Sequence, residues 1–468
     1  MTKKSRTILF SILTALFLTV TPGIALYSWG YRFDFDSGKI VQTGAFYFKV
    51  FPRSAEIYLD GKRMKKTDFF FGASYVENLL PKKYEVEIKK DGFHPWKKTL
   101  EVKEKQVTDA KNVVLIPEEP EFSALTKGVE NFFFSPDEKK VILKETNNGG
   151  WALKLLEPER NVKSHLVAEG DIPEVGTSLS ALNFSADSKM ALLKVASKED
   201  FKYFLINLEK SPPDLSPLDF LKKSTEDIFF NPENGQKLFL LANSGIFEID
   251  LAQEKISQAI LENVKSFRIF NKDIFYLLDS GPDAGFLFKT DFSFSGREKI
   301  NKGPFPVEDK GEYKIFVSLD KIFLQDEENL YLFNSNSNNF EKFFETSKEP
   351  KISSDLKKIV YYSDYEIWIL FLKNEFSQPQ KSAGEKQFIA RFSEKIGNVF
   401  WLSSHYLIFN SGSKIKIAEI DDRDKINIAD FAPPTTTGGG PEIFFNQNDK
   451  KLYISSEGNL YSSERLVP

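Results

Sequence analysis

Residues 129–155 read VENFFFSPDEKKVILKETNNGGWALKL: an apolar run, a tight turn, a second apolar run, a Gly-containing turn and a third strand. The same order returns over residues 180–208 (SALNFSADSKMALLKVASKEDFKYFLINL), over 226–251 (EDIFFNPENGQKLFLLANSGIFEIDL) and over 442–463 (EIFFNQNDKKLYISSEGNLYSS). Weaker copies surround Asn271, Ser318, Ser353 and Ser403. Aligned on the turn, the anchors are Ser135, Ser185, Asn231, Asn271, Ser318, Ser353, Ser403 and Asn446, at steps of 50, 46, 40, 47, 35, 50 and 43 residues. Several short strands repeated at this period are the mark of a β-propeller blade. One such unit is a small sheet with apolar residues on both faces and unpaired edges, so it needs a neighbour on each side. The spacing predicts a seven- or eight-bladed ring, with residues 122–126 as the extra strand that completes the last sheet.

Composition agrees with a mainly β chain. Phe occurs 46 times among 468 residues, and aromatic and β-branched side chains suit pleated, half-buried surfaces. Lys+Arg total 63 against Asp+Glu 67, for a net charge of −4. That balance lacks the concentrated basic field of a nucleic-acid binder. Cysteine is absent, which excludes disulfides, Cys nucleophiles and Cys-ligated metals.

From the N-terminus, Lys3, Lys4 and Arg6 precede about 20 uncharged residues, TILFSILTALFLTVTPGIAL (7–26). That length crosses a ~30 Å hydrocarbon core. Tyr27, Trp29 and Tyr31 follow as an interfacial aromatic belt, and the basic cap places the bulk of the chain outside the cytoplasm. A retained anchor over residues 1–31 is the preferred reading. The rival is a cleaved signal peptide, with residues 8–20 as its apolar region, Pro22 as helix breaker and Gly23-Ile24-Ala25 as the cleavage site. Both export the chain. Residues 32–44 read as a spacer.

Residues 45–117 read as a compact β-sandwich with strands at 46–51, 55–59, 84–89, 96–102 and 113–116. Period-2 alternation is clear at Ala55–Leu59 and Tyr84–Ile88; Asp60-Gly61 and Lys90-Asp91-Gly92 are turns. This unit resembles the PEGA domain family through Pro52-Arg53-Ser54-Ala55, Ile57-Tyr58-Leu59-Asp60-Gly61, Leu80-Pro81-Lys82-Lys83-Tyr84-Glu85-Val86 and Lys90-Asp91-Gly92-Phe93. The family's Thr-Pro is here Thr67-Asp68, and its Pro-Gly is Pro81-Lys82-Lys83. The resemblance implies a non-catalytic module of bacterial envelope proteins. Residues 118–121 form the hinge into a propeller over 118–468. Its turns at 134–137 (Phe-Ser-Pro-Asp), 184–187 (Phe-Ser-Ala-Asp) and 230–233 (Phe-Asn-Pro-Glu) resemble the TolB-type repeat, which implies the fold and leaves function open.

Long inter-blade loops are expected at 159–179, 211–225, 295–311 and 374–388, on the face opposite the repeated turn, and rigidly mounted loops are where binding concentrates. Residues 433–441 (PPTTTGGGP) read as a linker, without the Lys-Ser/Thr of a phosphate loop.

Candidate chemistry is sparse. His94, His165 and His405 lie in separate segments without metal-ligand spacing; His94 reads as packed and His405 as a surface turn residue. Ser-x-x-Lys occurs at 411–414, 318–321 and 354–357, and a motif that travels with the repeat reads as a turn. Asp137, Asp187, Glu233, Asp273, Asp320 and Asp355 belong to different blades, with no Ca²⁺ loop gathering them. Trp96, Trp151, Trp368 and Trp401 read as core. The expectation is a non-catalytic, membrane-anchored envelope protein with no cofactor, metal or nucleic acid, recognising a protein or polysaccharide through a propeller face. The alternative is an envelope hydrolase or lyase using paired carboxylates. A signalling role through the helix is disfavoured by the six residues before it.

Overall fold

The computed structural model describes residues 3–147, 150–172, 176–197, 200–210, 212–221, 225–345, 348–435 and 440–468. Helix α1 (Lys3–Ser28) carries no buried residue and is long and apolar enough to cross a membrane. It runs through Pro22 and does not break there. Next, β1 (Tyr31–Asp34) and β2 (Lys39–Gln42) pair as an antiparallel hairpin. The expected spacer is therefore ordered: Ser37 and the Asp36 N–H bond the Asp34 carboxylate, and Gly38 takes the positive φ that closes the turn.

A two-layer sandwich follows. One sheet holds β3 (Gly44–Phe51) between β6 (Ala73–Leu79) and β9 (Val107–Val114); the other runs in the order β5 (Lys62–Lys66), β4 (Glu56–Leu59), β7 (Lys83–Lys89), β8 (Trp96–Glu101). Their inner faces enclose Phe46, Phe48, Ile57, Val86, Ile88 and Leu100. Two strands were missed in the sequence. β5 (KRMKK) is exposed throughout and gives no apolar signal, and β6 is closed off by Asp68, whose carboxylate accepts from the N–H groups of Phe70, Phe71 and Ala73.

The remaining sheets are eight blades of four strands among the described residues: 129–168, 178–217, 225–256, 264–299, 314–345, 351–391, 396–431 and 442–465. The eighth has three strands of its own. Its fourth is β10 (Phe122–Lys127), from the start of the propeller, which pairs antiparallel with the C-terminal strand Asn459–Arg465. Eight apolar clusters each join one blade to the next, and the last, with Phe132, Leu143, Tyr453 and Leu460, joins blade 8 to blade 1. The ring is closed both by hydrogen bonds and by burial.

Two of the expected long loops are a correction. Segments 159–179 and 211–225 contain the outermost strands Val162–Ala168 and Asp214–Pro217, with residues 173–175, 211 and 222–224 outside the described residues. Segment 295–311 is a loop after the two-residue strand Glu298–Lys299, and 374–388 is a loop inside blade 6 that runs into its outer strand Lys386–Arg391. These outer strands have one open edge and little burial, so their sequences lack the apolar alternation that marks inner strands. Of the 433–441 linker, residues 436–439 lie outside the described residues.

The recurring turn is architecture. Ser135, Ser185, Asn231, Ser353 and Asn446 are buried at the end of an inner strand. In blades 1, 2 and 6 the Ser hydroxyl donates to Asp137, Asp187 or Asp355 (2.5–2.6 Å) and accepts from the N–H five residues on. Burial works against ionising these three Asp, but hydrogen bonds from Ser135, Ser185 and, at Asp355, Lys358 and Ser353 outweigh it and hold the carboxyls below their ordinary value. Neighbouring turns also tie to each other: Asp137 N–H to Ser188 Oγ, Asn446 Nδ2 to Glu138 O, and Gln447 Nε2 to Trp401 O. At Asn271, Ser318 and Ser403 the turn contracts to a two-residue hairpin, which is why these copies read weakly.

The sandwich is joined to blade 7 through a buried ion pair. Lys98 Nζ lies 2.8 Å from Glu419 Oε1, with side-chain exposures of 0% and 3%. Trp96 Nε1 donates to Glu419 Oε2 at 2.7 Å, and Asn427 donates twice to Oε1. Lys98 also donates to the carbonyls of Asp421 and Lys425. Trp96 is thus joint, as well as core. Arg423 Nη1 donates to Asp109 O, and the Val114 N–H to Tyr406 Oη.

Two predictions follow from these contacts. Leu460→Ala, in the closing sheet, is expected to cost about 2–5 kcal/mol in urea unfolding. Lys98→Met leaves the Glu419 carboxylate buried and unpaired and is expected to cost about 3–5 kcal/mol, while Lys98→Met with Glu419→Leu recovers most of that loss.

Candidate functional site

The eight inner strands line the propeller axis. Along a strand, alternate side chains face the two neighbouring blades, and on the inner strands those of Phe229 and Phe316 pack on the next inter-blade cluster while still reaching the axis. Ile228 and Phe230 are buried between blades 2 and 3, and Ile315 between blades 4 and 5. Their neighbours Asp227, Phe229, Lys314 and Phe316 open on a cavity of about 650 Å³ at the axis, with Asn183, Ser266, Arg268 and Glu349. The cavity therefore carries two carboxylates, two cations and an aromatic floor. Arg268 Nη2 stands 3.9 Å from Glu349 Oε1, and both side chains are about half exposed, so each keeps bonding capacity for a ligand.

The opposite side of the axis carries an aromatic run. Lys351 Nζ sits 3.7 Å over the Phe400 ring, Phe400 packs edge-on to Phe444 at 5.3 Å, and Phe444 stacks on Phe134 at 4.0 Å. This run joins the inner strands of blades 6, 7, 8 and 1. Burial pushes the Lys351 ammonium down to about 8, against the Glu349 charge, which favours protonation. The axis is thus asymmetric: one side opens on a charged cavity and the other carries an aromatic run.

None of these axis residues was singled out in the sequence, although a signal was present. Two residues before the turn anchor, blades 2 to 6 and 8 hold Asn183, Phe229, Ile269, Phe316, Lys351 and Phe444 at the axis, while blade 1 places Phe134 there, one residue nearer the anchor, and blade 7 Phe400, one residue farther from it. Lys351 is the one charge in an aromatic column.

The residues considered from sequence are dispersed. His94 is half-buried, its N–H bonding Ile116 O. His165 lies 3.5 Å from Asp171 on the surface. The three Ser-x-x-Lys stretches lie in blade turns. Asp273 pairs with Lys289 and Asp320 with Lys321, and the Glu233 N–H caps onto Asn231. Trp151, Trp368 and Trp401 each hydrogen-bond through Nε1 within the propeller. Among the described residues no group of three or more His, Asp or Glu could hold a metal.

His405 is a correction. It is half-buried and lines a small cavity of about 40 Å³ at the joint with Trp96, Lys358, Glu375 and Arg423. The sandwich covers a turn that would otherwise face solvent. Burial, followed by the Lys358 charge, pushes the imidazole down to about 4.

No family model matches the chain, and no curated protein matches it in sequence. Solved structures with a similar fold include the Dos1 propeller, at 12% identity over 74% of this chain and 94% of that one (TM-score 0.46). The WD40 domain of SCAP from fission yeast gives 10% identity over 74% and 98% (TM-score 0.46). Oligogalacturonate lyase from Vibrio parahaemolyticus gives 12% over 74% and 93% (TM-score 0.40). All are distant, and none bears on activity.

His405 makes stability depend on pH. Its folded pKa lies below the unfolded ~6.5, so its contribution is complete above pH 6.5 and is lost as pH falls through 6.5 toward 4. The loss is on the order of 3 kcal/mol. His405→Gln is expected to flatten that part of the wild-type profile, read as the difference between the two unfolding curves from pH 7 to 4.

Proposed function

We propose that the chain is a membrane-anchored binding or scaffold protein of a bacterial cell envelope, non-catalytic, with its bulk outside the cytoplasm. In this reading α1 is the retained anchor, its basic end cytoplasmic. The sandwich is a PEGA-like stalk and the ring a TolB-like recognition platform. The observation that supports it most is the charged cavity at the axis, where Asp227, Arg268, Lys314 and Glu349 surround an aromatic floor. Charges of both signs over a rigid apolar base suit a polypeptide segment better than a neutral glycan. The joined sandwich holds this platform at a set position relative to the helix.

The test is capture from envelope extract by the full chain in detergent. Wild type is expected to enrich a specific partner, and Arg268→Glu with Lys314→Glu to lose most of that enrichment without a change in melting temperature. Equal capture by both, or turnover of a peptide or polysaccharide panel by the wild type, contradicts the reading.

A further inference from the structure

The β1–β2 hairpin has one apolar face that is left exposed among the described residues. Phe33 pairs directly across from Ile40, and Phe35, in the turn just beyond the strand, sets its ring edge-on to that of Phe33 at 5.0 Å, which extends the apolar face. Their exposures are 50%, 63% and 87%. The opposite face carries Arg32, Asp34 and Lys39, with Asp34 across from Lys39. A two-stranded hairpin alone is marginal in water, and three exposed apolar side chains on its face add an unfavourable hydration term.

The hairpin is also fastened to the end of α1. The Thr43 N–H donates to Gly30 O, and Gln42 Nε2 donates to Trp29 O. The Arg32 guanidinium donates to Tyr27 O and Tyr31 O and lies 3.5 Å over the Tyr27 ring. Its other nitrogen reaches Asn78 Oδ1 on β6. The apolar face therefore begins within a few residues of the last apolar turn of the helix, beside Tyr27 and Trp29, which are 64% and 68% exposed.

We propose that the hairpin is a membrane-interface foot: Phe33, Phe35 and Ile40 insert among the lipid headgroups next to α1, while Asp34 and Lys39 face water. The proposal rests on reading α1 as a span. The occupant is lipid because the hairpin is hydrogen-bonded to the end of α1 beside the exposed Tyr27 and Trp29, and amphipathic elements with aromatic apolar sides partition to the depth of such a helix end. Arg32, bonded at once to the helix end, the hairpin and β6, makes the foot stiff. Together with the Lys98–Glu419 joint, it sets the angle at which the propeller stands over the bilayer.

The chain has no cysteine, so single-Cys reporters can be added without removing native thiols. In nanodiscs holding one full-length copy each, a fluorophore at Phe35→Cys is expected to lose most of its intensity to a headgroup-depth lipid quencher. The loss should match a Trp29→Cys reporter, while Lys255→Cys on the propeller loses little. Phe17→Cys, read with a deep quencher, tests the span separately. Quenching at position 17, with position 35 no more quenched than position 255, overturns the foot and leaves the span standing. Quenching at neither overturns both. Quenching at position 35 that falls to the level of position 255 once two copies share a disc means that a second copy covers the face, which also overturns the proposal.

Discussion

A four-stranded sheet with apolar side chains on both faces has nowhere to put them except against two other sheets. Every blade here is of that kind, and the eight inter-blade clusters are the consequence. An open stack would leave a face exposed at each end, so the chain curls until the ends meet. β10 then supplies the missing strand of blade 8, and antiparallel pairing with the C-terminal strand ties the two ends of the propeller together. Tyr453 and Leu460, buried where blade 8 meets blade 1, mark where closure is made.

Closure also explains the recurring turns. The strand leaving the axis must reverse tightly, and its buried backbone needs partners. Ser or Asn at the anchor supplies them inside the turn, and neighbouring turns supply the rest. Asp137, Asp187 and Asp355 are held in this way. The joint to the sandwich uses similar chemistry with greater burial. Glu419 is surrounded by donors from Trp96, Lys98 and Asn427, and burial still raises its pKa. Such a pair adds little net stability compared with apolar packing but penalises every misregistered docking, so it sets orientation.

Much of the architecture was legible in the sequence, and what escaped has a common cause. Inner and middle strands are flanked by apolar neighbours and carry the pattern at full strength. The outer strands, β5 and the β1–β2 hairpin each have solvent on one side or more, and their sequences read as loop. The same blindness hid His405. Its turn is polar and short, as a surface turn should be, and only the neighbouring sandwich makes it half-buried. The axis residues were partly legible: Lys351 departs from an aromatic column, but which side of the axis carries the charged cavity depends on side chains from several blades.

The amino-acid order by itself therefore determined the repeat, the mainly β class, the apolar N-terminal helix and the strand that completes the ring. Each of these is a local pattern repeated or a length matched, and local pattern is what hydrophobic periodicity records. The number of blades, the docking of sandwich on blade 7, the asymmetry of the axis and the uncovered face of the hairpin were decided only in three dimensions. They arise from contacts between residues as far apart as Lys98 and Glu419, and no spacing along the chain encodes which distant surfaces will exclude water from one another.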